Sequence, residues 1–309
     1  MTKTDIYVCC KPLQYFNARN IPQTFHPEHR RILIIKTRFN KADEFYEMVK
    51  ANDDQWDEVI KVPNSTSLYR IFLFRRFNSL IYGYDTSSIL GLLHLIKRFD
   101  FYLLEEGTST YLPIGGFGGK KNLIQSLIDR ITGVSNAGGY TRFVKSAFVY
   151  YPELYIKIRN PKFAPSTFAK PFIKKVSEDM HLFLSVSNVI DNETLAISNS
   201  KVLLYITNWN INQCIIEKMV QVADNYDYCI IKPHPHITDY SSLNKTDFVV
   251  FNSNLMVEFL LCLWLKQGNK ITIYHEGSTS IFYYRDLVEA IDLSPNKNKP
   301  YNKLIRGEF

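Results

Sequence analysis

The chain has 309 residues, of which 46% are hydrophobic and 22% are charged, and its formal net charge is +7. This composition fits a globular protein of two domains, and the positive charge favours anionic partners such as phosphates, acidic sugars or an anionic membrane surface. Nucleic acid is not expected as a partner, because the sequence has no zinc-finger spacing, aromatic RNA-binding signature or long basic arm.

Apolar runs with strand character alternate with helical segments in the first half of the chain. The predicted strands are 6–10, 30–37, 56–63 and 99–107, and the predicted helices are 13–21, 41–52, 67–81 and 120–133. This alternation is typical of a parallel sheet with crossover helices.

A segment with four prolines and many basic residues, 151–179, then interrupts the pattern. The alternation resumes with predicted strands 201–207, 227–233, 247–252 and 270–275 and predicted helices 210–226, 255–268 and 278–291, and a mobile polar tail is expected over 294–309. We predict an N-terminal Rossmann-like domain over 1–155, a linker over 156–180 and a C-terminal Rossmann-like domain over 181–309. Two doubly wound parallel sheets that face a cleft would bind ligands at the carboxyl ends of their strands.

Five cysteines form no CxxC pair and predict buried free thiols in a reducing compartment. The most apolar window, 248–265, is interrupted by two asparagines and a glutamate, which makes it a poor membrane span. We therefore expect a cytoplasmic protein, which could also associate peripherally with the inner membrane face.

A histidine between two prolines, His234, follows the predicted strand that ends in Lys232. Pro233 and Pro235 restrict the backbone, so the imidazole would be held rigidly at a strand end. An imidazolium there can bind a phosphate oxygen and protonate a leaving group, and Lys232 adds positive charge. The alternative is an ordinary turn histidine; His26, which also precedes a proline, is assigned no role.

An acidic pair, Glu105-Glu106, ends another apolar strand and is followed by Gly107. Because neighbouring side chains of an extended chain point to opposite faces, one glutamate should face the cleft and the other should be structural. A carboxylate aimed into a cleft can act as a general base. The alternative is an exposed acidic turn.

Hydroxyl residues open a predicted helix after the strand 270–275: Ser278, Thr279 and Ser280. They could be simple N-caps, or they could bind a phosphate together with the free amides. Glu258, alone on an apolar helix, could accept bonds from ribose hydroxyls or could stabilise its own helix dipole.

Several motifs are missing from the sequence, namely DxD, the P-loop, GxGxxG, GxSxG and HExxH. We therefore expect no metal and no bound cofactor. The glycine-rich segment 115–120 lacks the P-loop pattern and is predicted to be a mobile loop beside the acidic motif, which could serve as an acceptor lid.

The three motifs, in this order, resemble those of the bacterial sialyltransferases of GT-B fold, and most of all glycosyltransferase family 52, the lipooligosaccharide and capsule sialyltransferases. The segments CCKPLQYFNA, YCIIKPHPH and MVEFLL…ITIYHEGSTSIF are similar to segments of that family. The resemblance implies a GT-B fold and an inverting, metal-independent transfer of sialic acid from CMP-sialic acid to a sugar hydroxyl of a galactose-terminated glycan.

The resemblance also implies roles for individual residues. Glu105 would be the general base and His234 would protonate or hydrogen-bond the departing phosphate. The nucleotide and its phosphate would be bound by Lys232, Pro235, Glu258, Ser278, Thr279 and Ser280, and the donor sugar or acceptor by Gln14 and Asn17. The family form begins with Asp where this chain has Glu105, which leaves the choice between Glu105 and Glu106 open.

Two other interpretations fit the same motifs. One is a related GT-B transferase that uses another nucleotide sugar, and the other is a non-catalytic nucleotide- or carbohydrate-binding protein. The motifs do not distinguish between acceptors, linkages or oligomeric states.

Overall fold

The computed structural model describes residues 2–83, 88–112, 123–132, 143–189, 193–234, 237, 239, 247–295 and 300–308. The packing divides the chain into unit 1, Met1–Arg38 with Asp53–Pro171, and unit 2, Phe39–Asn52 with Phe172–Phe309. The domain boundaries given above stay a prediction. Among the described residues, no helix is both long enough and apolar enough to cross a bilayer.

Unit 1 is built on a parallel sheet of seven strands. These are β1 (Thr4–Cys9), β2 (Arg30–Lys36), β3 (Glu58–Val62), β4 (Ser79–Tyr82), β5 (Asp100–Leu104), β6 (Val144–Val149) and β7 (Ser166–Thr167). Their order is β3-β2-β1-β4-β5-β6-β7. The helices of this unit are α1 (Pro12–Arg19), α3 (Ser65–Phe74), α4 (Ser88–Lys97), α5 (Leu123–Thr132) and α6 (Pro152–Arg159). The central strands are continuous apolar runs, as expected for a parallel sheet that is covered on both faces.

Unit 2 contains a second parallel sheet, of five strands. These are β8 (Lys201–Ile206), β9 (Tyr228–Lys232), β10 (Val249–Val250), β11 (Lys270–His275) and β12 (Glu289–Asp292), in the order β10-β9-β8-β11-β12. The helices are α2 (Ala42–Asn52), α7 (Phe172–Glu178), α8 (Met180–Val186), α9 (Gln213–Val222), α10 (Val257–Lys266), α11 (Thr279–Tyr284) and α12 (Pro300–Arg306). Helix α2 belongs to this unit because it packs against α8. The prediction of an α/β fold with two parallel sheets is confirmed.

Two predicted helices were too long, because each predicted range also contains most of a short strand. The helix predicted over 67–81 ends at Phe74 and is followed by β4, and the helix predicted over 278–291 ends at Tyr284 and is followed by β12. Strands of four residues give too short a pattern to be separated from an apolar helix by periodicity alone. Helix α4 and strand β6 were not predicted.

The expectation of a mobile tail over 294–309 was wrong in its described part. Residues 300–306 form α12, where Leu304 and Ile305 are each only 1% exposed. A single apolar pair in a polar segment gives little sequence signal, but burying it anchors the helix. The five cysteines are free, but only Cys9 and Cys262 are buried, and Cys214 is exposed.

Candidate active site

The acidic motif of unit 1 lies where β5 ends, and its first carboxylate is fully buried. Glu105 accepts hydrogen bonds from the Tyr111 hydroxyl and from the Tyr150 N–H, the latter at 2.8 Å, and its side chain has no exposed surface. Its backbone carbonyl accepts a bond from Asn17 Nδ2 at 2.7 Å. The Tyr150 hydroxyl in turn donates to Asn17 Oδ1 at 3.0 Å. Glu105 therefore ties the end of β5 to α1 and to the end of β6.

The Tyr111 hydroxyl acts as a permanent donor in this network. Burial, together with the neighbouring Glu105 charge, holds the pKa of Tyr111 well above its ordinary value, so the phenol keeps its proton. The same oxygen accepts a bond from the Tyr151 N–H at 3.1 Å. The two bonds that Glu105 Oε2 accepts, from Tyr111 and Tyr150, orient the buried carboxylate.

The second carboxylate of the motif, Glu106, is partly exposed. Its Oε1 accepts a bond from Gln14 Nε2 at 3.0 Å and pairs with Lys11 Nζ at 2.8 Å, and the side chain is 10% exposed. The Glu106 N–H donates to Thr110 Oγ1 at 2.7 Å. Gly107 then turns the chain at a φ of 78°, a backbone region in which a side chain is strained.

The ends of three neighbouring strands meet at this carboxylate. Lys11 and Gln14 follow β1, Gly83 follows β4 and Glu106 follows β5, and these strands are adjacent in the sheet. Gln14 is fully buried and also accepts a bond from the Cys10 N–H at 2.6 Å. A Cβ at Gly83 would lie 2.8 Å from Gln14 Nε2, so a glycine leaves the room that Gln14 needs. Lys11 and Gly83 were not predicted as site residues. Lys11 directly follows the predicted strand 6–10, whereas Gly83 follows β4, a strand that overlaps a predicted helix.

In unit 2, the histidine of the HP motif stacks on an exposed tryptophan. The rings of His234 and Trp209 have centroids 5.0 Å apart and an interplanar angle of 25°. The backbone N–H of His234 donates to Thr207 Oγ1 at 2.8 Å. Trp209 is 64% exposed. These residues follow β9 and β8, which are paired in parallel. Trp209 was missed because an isolated tryptophan in a polar segment has no distinctive spacing.

Three of the residues predicted to bind nucleotide are buried close to β9 and α10. The Ser280 hydroxyl donates to Glu258 Oε1 at 3.0 Å, and both side chains are nearly inaccessible. Lys232 Nζ donates to the Ser253 carbonyl at 2.6 Å. Burial lowers the pKa of Lys232 to about 8, although the nearby Glu258 charge opposes this shift. The side chains of Glu258 and Ser280 are thus hydrogen-bonded to each other, and Lys232 is a buried cation near Glu258.

The Ser278 turn is shaped by a neutral histidine that sequence analysis did not single out. His275 Nδ1 accepts bonds from the Gly277 N–H at 3.1 Å and from the Ser278 N–H at 3.4 Å. Burial lowers the pKa of His275 to about 4, so the ring is uncharged at neutral pH. Because these two amides are already bonded, Ser278 and Thr279 would offer their hydroxyls to a ligand; both residues are partly exposed.

The structure thus brings some of the predicted residues together in each unit. Gln14, Asn17, Glu105 and Glu106 form the group in unit 1, and Lys232, Glu258 and Ser280 lie together in unit 2. His234, Ser278 and Thr279 are not part of this second group, and the contacts of His234 and Ser278 described above are with Trp209, Thr207 and His275. Pro235 and the glycine-rich segment 115–120 lie outside the described residues.

A separate cluster at the start of β1 has side chains of the metal-binding type. The Nδ1 atoms of His26 and His29 lie 2.9 and 2.7 Å from the two carboxylate oxygens of Asp5, which is fully buried. The ligand atoms of the three residues lie within 4.8 Å of one another. These contacts are already hydrogen bonds, so the cluster ties the turn before β2 to β1 without requiring an ion.

Comparisons with known proteins show the fold of the chain. No protein-family model and no curated protein matches it. Solved structures that resemble it include three with TM-scores above 0.5. UDP-N-acetylglucosamine 2-epimerase from Rickettsia bellii has 10% identity and a TM-score of 0.54, and the match covers 96% of this chain and 80% of the epimerase.

The wall teichoic acid polymerase TagF, in a structure with CDPG, has 13% identity and a TM-score of 0.51, with 98% of this chain and 72% of the polymerase covered. The glycosyltransferase SnogD from Streptomyces nogalater has 12% identity and a TM-score of 0.51, with 99% of this chain and 85% of SnogD covered. The chain has the GT-B fold. At these identities the likeness shows the fold alone.

Proposed function

We propose that the protein is a glycosyltransferase that moves a sugar from a nucleotide donor to a glycan hydroxyl. The observation that carries this proposal is the stacked pair Trp209 and His234 at the carboxyl ends of two adjacent parallel strands. Ligands of open α/β sheets bind at this edge. The exposed indole offers a flat apolar face to a nucleobase, and the imidazole can donate a proton to a phosphate.

The fold likeness to an epimerase of a UDP-sugar and to a glycosyltransferase supports the same class of substrate. The more specific proposal is that the donor is CMP-sialic acid and the acceptor a galactose-terminated glycan of lipooligosaccharide or capsule. Its support is the motif resemblance, namely Glu105-Glu106-Gly107, His234-Pro235 and Ser278-Thr279-Ser280.

Of the two acids, Glu106 suits the role of general base better than Glu105. The Glu105 carboxylate is fully buried and already accepts two bonds, whereas Glu106 is reachable and is oriented by Lys11 and Gln14. In the proposed reaction, Glu106 takes the proton of the acceptor hydroxyl as its oxygen bonds to the anomeric carbon. Glu105 would then be a positioning residue.

The bond from the anomeric carbon to the phosphate oxygen breaks and its electrons remain on the phosphate. His234 donates a proton to that oxygen, and the motif resemblance implies inversion of the configuration at the anomeric carbon. Ser278 and Thr279 are proposed to bind the phosphate through their hydroxyls. A ribose contact by Glu258 would require its bond to Ser280 to be exchanged.

The test is release of CMP from CMP-sialic acid with lactose as acceptor and EDTA present. We expect acceptor-dependent release that EDTA does not abolish. Glu106→Gln should lower kcat by about 10²–10⁴-fold while leaving CMP affinity unchanged, because the base does not touch the nucleotide. His234→Ala should weaken both CMP binding and turnover.

Other outcomes would revise the proposal. Turnover with another nucleotide sugar but not with CMP-sialic acid would keep the transferase and reject the donor. CMP binding without any turnover would favour a binding protein. Unchanged kcat in Glu106→Gln would reject Glu106 as the base.

A further inference from the structure

Helices α3 and α5 of unit 1 expose large apolar side chains to solvent. Leu73 and Phe74 lie at the end of α3, and Phe74 is 80% exposed. On α5, Leu123, Leu127 and Ile131 recur every four residues, so they form one stripe along the helix, and Leu123 is 90% exposed. Such a stripe normally covers a core or binds a partner.

Helix α4 lies between these two helices and is apolar on almost every side. It packs against both α3 and α5. Leu90 and Leu93 are buried, while the other large apolar residues point outward. The exposed ones are Ile89, Leu92, Leu95 and Ile96, with Ile96 at 72%. We call the exposed large apolar residues of α3, α4 and α5 together the apolar face. It holds nine of the sixteen exposed large apolar side chains among the described residues.

Exposed arginines lie on or directly after each of the three helices of the apolar face. Arg70 on α3, Arg98 directly after α4 and Arg130 on α5 are exposed. The sequences of α3 and α4 contain no acidic residue, and that of α5 contains one, Asp129. A contiguous apolar patch with a basic border is the pattern of a protein surface that enters an anionic membrane interface.

We propose that the apolar face binds the surface of an anionic lipid bilayer, with its leucines and isoleucines at the acyl boundary and the three arginines at lipid phosphates. A second copy of the chain would bury the same apolar area but would bring the arginines of both copies together in a desolvated interface, which is unfavourable. Anionic lipid neutralises them instead. This inference is independent of glycosyl transfer, because vesicle binding needs neither donor nor acceptor.

The experiment is sedimentation of the full chain with phosphatidylcholine vesicles, with and without phosphatidylglycerol. We expect the protein to pellet with the anionic vesicles and to pellet far less with the neutral ones. Ile96→Glu and Leu127→Glu should each weaken binding by more than about tenfold. Arg70→Gln and Arg130→Gln should each weaken it by about fivefold on anionic vesicles.

Val220→Glu is the matched control, because Val220 is 57% exposed on α9 of unit 2 and does not belong to the apolar face. It should bind vesicles like the wild type. Thermal melting should show that all five variants remain folded, since each changed side chain is exposed.

Three results would overturn the proposal. The wild type could stay in the supernatant with anionic vesicles, or Val220→Glu could lose as much binding as Ile96→Glu. Light scattering after gel filtration could instead show a wild-type dimer that Ile96→Glu makes monomeric, without vesicle binding by either protein. In that case a second copy, and not lipid, covers the face.

Discussion

Replacing Glu105 by glutamine should lower the stability of unit 1 more than the same change at Glu106 does. The Glu105 carboxylate accepts one bond from the Tyr111 hydroxyl and one from the Tyr150 N–H inside a fully buried site. A hydrogen bond to a charged group contributes about 1.5–3 kcal/mol and a neutral one about 0.5–1.5 kcal/mol. Losing the charge on two bonds should therefore cost about 2 kcal/mol, equivalent to about 4–8 °C in Tm.

Glu106→Gln is the matched control for this experiment. Its carboxylate accepts one bond from buried Gln14 and pairs with Lys11, whose side chain is 42% exposed and whose ion pair contributes about 0–1 kcal/mol. Glu106→Gln removes the charge from one such hydrogen bond instead of two, so its loss of stability should be about half that of Glu105→Gln. Urea unfolding of both variants, followed by tyrosine fluorescence and circular dichroism, measures the difference. Equal stability of Glu105→Gln and the wild type would refute the structural role, as would a larger loss in Glu106→Gln.

A double-mutant cycle sharpens the same prediction. Tyr111→Phe removes the donor to Glu105 and leaves the Tyr151 N–H without the oxygen it bonds. If Glu105 and Tyr111 stabilise unit 1 through their shared bond, the double variant should lose about 1 kcal/mol less than the two single losses added together. Strict additivity would show that the two residues act independently.

Two further changes test the buried lysine and the glycine beside Gln14. Lys232 has a pKa of about 8 when folded against an ordinary 10.5, so between these values the unfolded chain keeps a proton that the folded chain has lost. Stability of the wild type relative to Lys232→Met should therefore rise with pH across this window, by about 3 kcal/mol in total, and a flat difference in urea midpoints would contradict the assignment. Gly83→Ala places a Cβ 2.8 Å from Gln14 Nε2 and should move Gln14 off Glu106, lowering kcat by about 10- to 100-fold with CMP binding intact. Unchanged kcat in that variant would show that Gln14 does not orient the base.

The amino-acid sequence determined the strands that have long, continuous apolar runs. Strands β2 and β8 were predicted from residues 30–37 and 201–207. Runs of β-branched and aliphatic residues of this length, bounded by polar residues, favour a buried strand. The polar motifs at the strand ends could be located for the same reason. The strands β4 and β12 could not be predicted, since four residues are held as strands only by the neighbours with which they pair.

The tertiary structure decided which residues of each motif are buried and which can meet a ligand. Alternation along an extended chain predicts that one glutamate of the pair points inward, but Glu105 is the buried one because Tyr111 and Tyr150 supply donors on that side. Trp209 and His234 are far apart in sequence, and only the pairing of β8 with β9 stacks their rings. The exposure of α4 and α5 likewise depends on which helix faces are covered by the fold. Local pattern fixes what each segment can form, whereas burial and contact depend on the whole chain.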